Sequence, residues 1–132
     1  MDFREYQKNA WSNLKEHENL KDEVCDWTIG LSEEVGEVAS IVKHWQWGRE
    51  PIRPEELTEE IGDVLWYLSA LCTSLGLDFD AVAKLNIAKL QYRFEDGFSF
   101  KKSQDRHEKR KEFKNTEAYK ELMSELFLEG RE

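Results

Sequence analysis

A chain of 132 residues is long enough to bury one ordinary core without disulfide or metal staples, and too short for two full domains. Its formal net charge of −9 repels nucleic acid and anionic membranes, so a polyanionic ligand would need metal ions or a local basic patch. Cys25 and Cys72 lack any Cys-x-x-Cys or Cys/His spacing and read as core thiols of a reducing compartment; with no N-terminal signal and no membrane-length apolar run, the expectation is a soluble cytoplasmic protein without nucleic-acid or membrane partners.

Phe3, Tyr6, Ala10, Trp11 and Leu14 recur at three- and four-residue steps and predict an amphipathic helix from Phe3 to Leu14. The charged stretch from Lys15 to Glu23 either continues it or breaks it around Asn19. A second helix is predicted from about Asp22 to Trp45, stopped by Gly48 and by Pro51 and Pro54, with a loop over Trp47 to Arg53. Pro54 suits a first helical turn, where Glu55, Glu56 and Glu59 meet the positive helix end, and this third helix runs to about Leu75 with Gly76 as its cap. Asp78 or Asp80 caps a fourth helix that continues to about Phe94. After a break at Glu95 to Ser99, the charged stretch from Lys101 to Lys114 reads as a solvated helix or a partly disordered one. Ala118, Tyr119, Leu122, Leu126 and Phe127 then form a last amphipathic helix, capped by Asn115 or Thr116, which needs a groove on its own subunit or on a partner. No segment alternates with period two for long enough to make a strand, so the fold class is all-α.

One acidic word occurs twice: Glu33-Glu34-Val35-Gly36-Glu37-Val38 returns as Glu59-Glu60-Ile61-Gly62-Asp63-Val64. On a wheel of about 100° per residue, Leu31, Val35, Val38 and Val42 make the central apolar stripe of the second helix. Glu34 falls inside that apolar arc, Glu37 lies at its edge, and Glu33 faces solvent. The third helix repeats the arrangement: Leu57, Ile61, Val64 and Leu68 form the stripe, Glu60 lies beside it with Tyr67 and Leu71, and Asp63 takes the place of Glu37. Burying even one unpaired carboxylate costs several kcal/mol, so acid pairs turned toward a core require positive charge between them. Lys and Arg are scarce on these faces. A divalent cation is the simplest counter-charge, and oxygen ligands without His or Cys select Mg²⁺ or Mn²⁺. The plainer reading, ordinary surface acids, accounts neither for the duplication nor for Gly36 and Gly62, whose equivalent places suggest close backbone approach.

On the fourth helix Asn86, Lys89 and Arg93 continue one narrow stripe from Val82 and divide an apolar face. Either the two cations snorkel to solvent, or they meet an anion held by the acids, with Arg93 able to grip phosphate in bidentate fashion. Lys43 is a weaker candidate of the same kind. Trp45 and Trp47 could stack on a nucleobase, or pack in the core or at a subunit interface, and for Trp47 packing is the favoured reading.

Glu33-Glu34-x-x-Glu37, Glu60-x-x-Asp63 and Asn86-x-x-Lys89-x-x-x-Arg93 together resemble the MazG-like all-α nucleoside triphosphate pyrophosphohydrolases. Glu5-Tyr6-Gln7, Gly30-Leu31, Gly62-Asp63-Val64-Leu65-Trp66-Tyr67-Leu68 and Arg93-Phe94-x-x-Gly97-Phe98-Ser99 extend the similarity from about Phe3 to Arg106. The resemblance implies a four-helix-bundle-like domain over residues 1–100; the charged helical extension expected over 101–132 rests on the residue pattern, and beyond Arg106 it lies outside the resemblance. It implies Mg²⁺, with Mn²⁺ as a possible substitute, on Glu34, Glu37, Glu60 and Asp63, which are the catalytic acids. It implies phosphate contacts from Lys89, Asn86 and Arg93; Lys43 and Trp45 stand as further substrate-binding candidates from the residue pattern alone. It also implies conversion of a (deoxy)nucleoside triphosphate to the monophosphate and pyrophosphate, in a homodimer or homotetramer whose bundle a partner subunit completes. Two alternatives stand beside it. A di-iron carboxylate bundle would want Glu-x-x-His, and none of His17, His44 or His107 follows an acid at that spacing. A non-catalytic helical interaction module would use the acids for a structural cation.

Overall fold

A computed structural model describes residues 1–12 and 17–129. Among them are seven helices: α1 (Phe3–Trp11), α2 (Leu20–Gln46), α3 (Pro54–Ser74), α4 (Phe79–Arg93), α5 (Phe100–Gln104), α6 (Arg106–Lys114) and α7 (Glu117–Ser124). The described residues contain no strand, only an isolated antiparallel bridge between Leu77 and Phe127. The all-α expectation is met. Leu14 and Lys15 lie outside the described residues.

Local chemistry sets the helix ends. Asn19 is the break foreseen in the charged stretch: it sits in extended backbone and its side chain accepts the Asp22 N–H at 2.9 Å, capping α2. Pro54 opens α3, where its missing N–H costs nothing, and Glu55 and Glu56 occupy the first turn. Gly76 follows the end of α3 with φ at 68°, a left-handed turn that a side chain disfavours. Asp78 then caps α4, accepting the Ala81 N–H at 3.0 Å and the Arg4 guanidinium at 2.7 Å. Ser99 and Thr116 cap α5 and α7 in the same way.

The chain divides into two compact units, Glu5–Leu75 and Met1–Arg4 with Gly76–Glu132. In the first unit α2 and α3 form an antiparallel hairpin. Trp27, early in α2, donates its indole N–H to Ser74 at the end of α3 at 2.9 Å, while Glu34, further along, approaches Asp63. Ser74 in turn donates to the Glu23 carboxylate, and Gln7 of α1 donates to Thr73 at 3.0 Å. Trp27, Trp66 and Tyr67 stack edge-on nearby, with centroids 5.7 Å (Trp27–Trp66) and 5.0 Å (Trp66–Tyr67) apart.

Three expectations are corrected in this unit. The wheel made Val35, Val42, Ile61 and Leu68 central to a buried stripe, yet they are 50%, 37%, 53% and 38% exposed. The seam between the helices runs instead through Trp27, Gly30 and Glu34, because small and aromatic residues there allow the closest approach. Antiparallel packing turns both apolar stripes to the same side of the hairpin, as an open face. Secondly, a Cβ added at Gly36 or Gly62 would meet nothing within 4 Å. The close approach is at Gly30. Thirdly, Cys25 is exposed, and of the two thiols only Cys72 is buried.

In the other unit Phe3 packs on Phe79 at 5.0 Å, and buried Phe113 lies between Tyr92 at 5.7 Å and Tyr119 at 5.4 Å. The charged stretch is helical, as α5 and α6. The last amphipathic segment finds its groove within the unit, since α7 packs on α4. It ends earlier than its apolar period suggested. Leu126 and Phe127 leave the helix, and the extended stretch pairs with the α3–α4 connection: the Asp78 N–H donates to Leu126 C=O at 2.7 Å and the Leu128 N–H to Gly76 C=O at 2.8 Å.

Candidate functional site

The hairpin brings three acids of the duplicated word together. Glu34 from α2 and Glu60 and Asp63 from α3 each offer a carboxylate oxygen, and these atoms all lie within 4.8 Å of one another. Register explains the meeting. Glu60 and Asp63 are one turn apart on α3, and the antiparallel seam sets Glu34 level with both. Glu34 and Glu60 are half-buried and Asp63 is exposed.

Electrostatically the trio is unbalanced. Among the described residues no Lys or Arg forms an ion pair with any of the three. The Glu34 carboxyl is held above the usual carboxylate range, first by its partial burial, then by the Asp63 charge and a hydrogen bond with Glu60. Three oxygens converging without a counter-cation fit a hard divalent ion, which takes carboxylate ligands at short range.

The remaining candidates fall into different surroundings. Glu37 is exposed, one turn beyond Glu34 and outside the converging trio; Glu33 and Glu59 are exposed, as their wheel positions suggested. On α4, in the other unit, Asn86 is exposed while Lys89 and Arg93 are half-buried, and the Arg93 guanidinium lies 5.3 Å over the Phe94 ring. Lys43 sits 5.9 Å over Trp47, with Arg49 at 5.4 Å. Trp45 and Trp47 are 51% and 63% exposed, so within this chain Trp47 is not a core residue but a surface ring held between cations.

Two residues beside the acids escaped the sequence reading. The Tyr67 hydroxyl is raised above the ordinary tyrosine range, by burial first and then by Glu34, Glu33 and Asp63; Tyr6 is raised by burial and then by Asp63. Tyr67 follows Asp63 by one turn, so its place beside the acids is a consequence of helical register.

Among the described residues no helix is long and apolar enough to cross a membrane. Comparison with known proteins gives a relative in the gene 37 protein of Mycobacterium phage L5, 35% identical over 74 residues; the match covers 53% of this chain and 65% of the phage protein, so the chain spans just under two thirds of that relative's length. No solved structure matches the chain. The MazG nucleotide pyrophosphohydrolase domain matches residues 23–98, a span that holds both acidic words, the converging trio and the α4 stripe. With more than half of its length matched, this chain belongs to the MazG nucleotide pyrophosphohydrolase family, whose fold is a helical bundle.

Proposed function

We propose that the protein is a Mg²⁺-dependent nucleoside triphosphate pyrophosphohydrolase that converts a (deoxy)nucleoside triphosphate to the monophosphate and pyrophosphate. The observation that carries this reading is the convergence of Glu34, Glu60 and Asp63 without a counter-cation, inside a family of pyrophosphohydrolase domains. In the reaction water attacks phosphorus, the phosphoanhydride bond breaks, and pyrophosphate leaves. Mg²⁺, or Mn²⁺ in its place, would neutralise the triphosphate and lower the pKa of the attacking water. Glu34, Glu60 and Asp63 would hold the ion, and the family resemblance adds Glu37, one turn from Glu34, as a fourth ligand. Asn86, Lys89 and Arg93 would contact the phosphates, a role that rests on the family resemblance and on their shared stripe; Lys43 is a weaker candidate of the same kind, and Trp45 a candidate for stacking on the nucleobase. Residues 1–100 carry this activity and 101–132 follow as an extension. The working unit is a homodimer or homotetramer acting in the cytoplasm.

The test is incubation with a panel of ribo- and deoxynucleoside triphosphates in the presence of Mg²⁺ or Mn²⁺, with pyrophosphate and monophosphate measured together. Release of both from at least one nucleotide is expected. Silence across the panel, with cation binding intact, would favour the non-catalytic interaction module instead.

Cation dependence should also appear in stability. Because the folded chain raises the affinity of Glu34 for its proton, the folded state binds more protons than the unfolded one just above the ordinary carboxylate range, and metal-free stability falls as pH rises through that window. Lowering the pH from about 7 to about 5 should therefore raise the melting temperature of the metal-free protein, and Glu34→Gln should flatten that rise. At neutral pH Mg²⁺ or Mn²⁺ should raise it instead, with the increment shrinking on acidification as protons compete for the carboxylates. A melting temperature indifferent to both cations at neutral pH would count against the metal site.

A further inference from the structure

Resting on that metal reading, we propose that Tyr67 is a positioning residue of the acidic cluster, seated there by the missing side chain of Gly30. Gly30 is buried in the middle of α2, where glycine is otherwise unfavourable, and the space a Cβ would fill is occupied by Tyr67. The phenol oxygen stands 2.8 Å from that point and two ring carbons stand closer still. No residue with a Cβ fits there unless the ring moves. The consequence follows from helical register. Gly30 lies one turn before Glu34 on α2, and Tyr67 lies one turn after Asp63 on α3. A ring seated in the Gly30 notch therefore lies one turn from a candidate ligand on each helix, near enough for Glu34 and Asp63 to act on its hydroxyl electrostatically. Trp66, edge-on to Tyr67 at 5.0 Å, and Trp27, at 6.3 Å, limit where the ring can go.

At this place a hydroxyl can donate to a carboxylate oxygen and hold it in the orientation the cation needs. The phenol suits the task because its burial and the neighbouring acids keep it protonated, hence a donor. Tyr67 touches neither the cation nor the reacting phosphorus in this scheme; it acts through the ligands, as outer-shell partners of metal sites do. By contrast, the two glycines of the acidic words face open space.

The test is Mn²⁺ binding to the full chain, measured by calorimetry without nucleotide, beside the melting temperature of the metal-free protein. Tyr67→Phe keeps the ring and removes the donor. It should weaken Mn²⁺ binding by roughly tenfold or more, the range seen for outer-shell partners, while the metal-free melting temperature stays unchanged. Gly30→Ala, which pushes the hydroxyl off its seat, should weaken Mn²⁺ binding similarly, and in the Tyr67→Phe background it should add little further loss. Wild-type affinity in Tyr67→Phe would overturn the role, and so would a loss of affinity matched by a lower metal-free melting temperature, which marks a packing role alone. Additive losses in the double variant would sever Gly30 from Tyr67 and overturn the notch argument. Should the wild-type chain bind no Mn²⁺, the metal reading falls first and this role with it, a result distinct from a variant that fails against a competent wild type.

Discussion

Glu60→Gln should abolish pyrophosphate release, with a loss of at least about 100-fold, since even outer-shell partners of a metal are worth up to that much. The change keeps the side-chain volume and removes one charge from the trio, whose carboxylate oxygens lie within 4.8 Å of one another. Helicity by circular dichroism should be unaffected. Removing one of three crowded acids relieves their mutual repulsion, so the metal-free variant should melt no lower than the wild type. Activity and stability thus move apart, which distinguishes a ligand from a structural acid. Glu37→Ala should lose turnover too, although Glu37 stands outside the trio, because the family resemblance makes it a fourth ligand of the proposed cation. Retained pyrophosphate release by either variant would sink the assignment.

Ile61→Glu should dissociate the proposed homo-oligomer. Val35, Val42, Ile61 and Leu68 expose large apolar surface on one side of the α2–α3 hairpin, and contiguous patches of this kind mark interaction surfaces. Burial of each side chain against a second copy contributes about 1.5 to 3 kcal/mol. A carboxylate placed among them costs several kcal/mol more, enough to weaken association by roughly two to three orders of magnitude. Sedimentation velocity should show a wild-type dimer or tetramer and a monomeric variant, with activity lost at enzyme concentrations where the variant is dissociated. A wild type that sediments as a monomer at micromolar concentration would remove the subunit-completed bundle.

What could be read from the sequence was whatever depends on local register. The limits of α2, α3 and α4 follow from Asn19, Pro54, Gly76 and Asp78, residues whose side chains or backbone preferences act within one turn. The pairing of Glu60 with Asp63 was legible for the same reason. Where a helix turns its face is a different matter. A wheel shows that Val35 and Glu34 share an arc but not which of them points at α3; that choice is settled by Gly30 and Tyr67, partners 37 positions apart in the chain. Hence Glu34 reached the seam and Val35 the open face. The same non-locality misdirected the reading of glycine: duplication drew attention to Gly36 and Gly62, whereas the residue that has no room for a side chain lies just outside the repeat. Leu126 and Phe127 continue an apolar period past the end of α7, but their stretch is held by backbone hydrogen bonds to Gly76 and Asp78, partners that an apolar period does not reveal.

The extended stretch after α7 has a consequence for how its unit comes together. Its hydrogen bonds to Gly76 and Asp78, and the Leu77–Phe127 bridge between them, close a ring of chain that contains α4, α5, α6 and α7. Each helix can nucleate from its own cap, but the ring closes only when the final segment meets the α3–α4 connection, and the entropy of that long closure is lost before any contact repays it. Closure therefore belongs to the late side of the folding barrier.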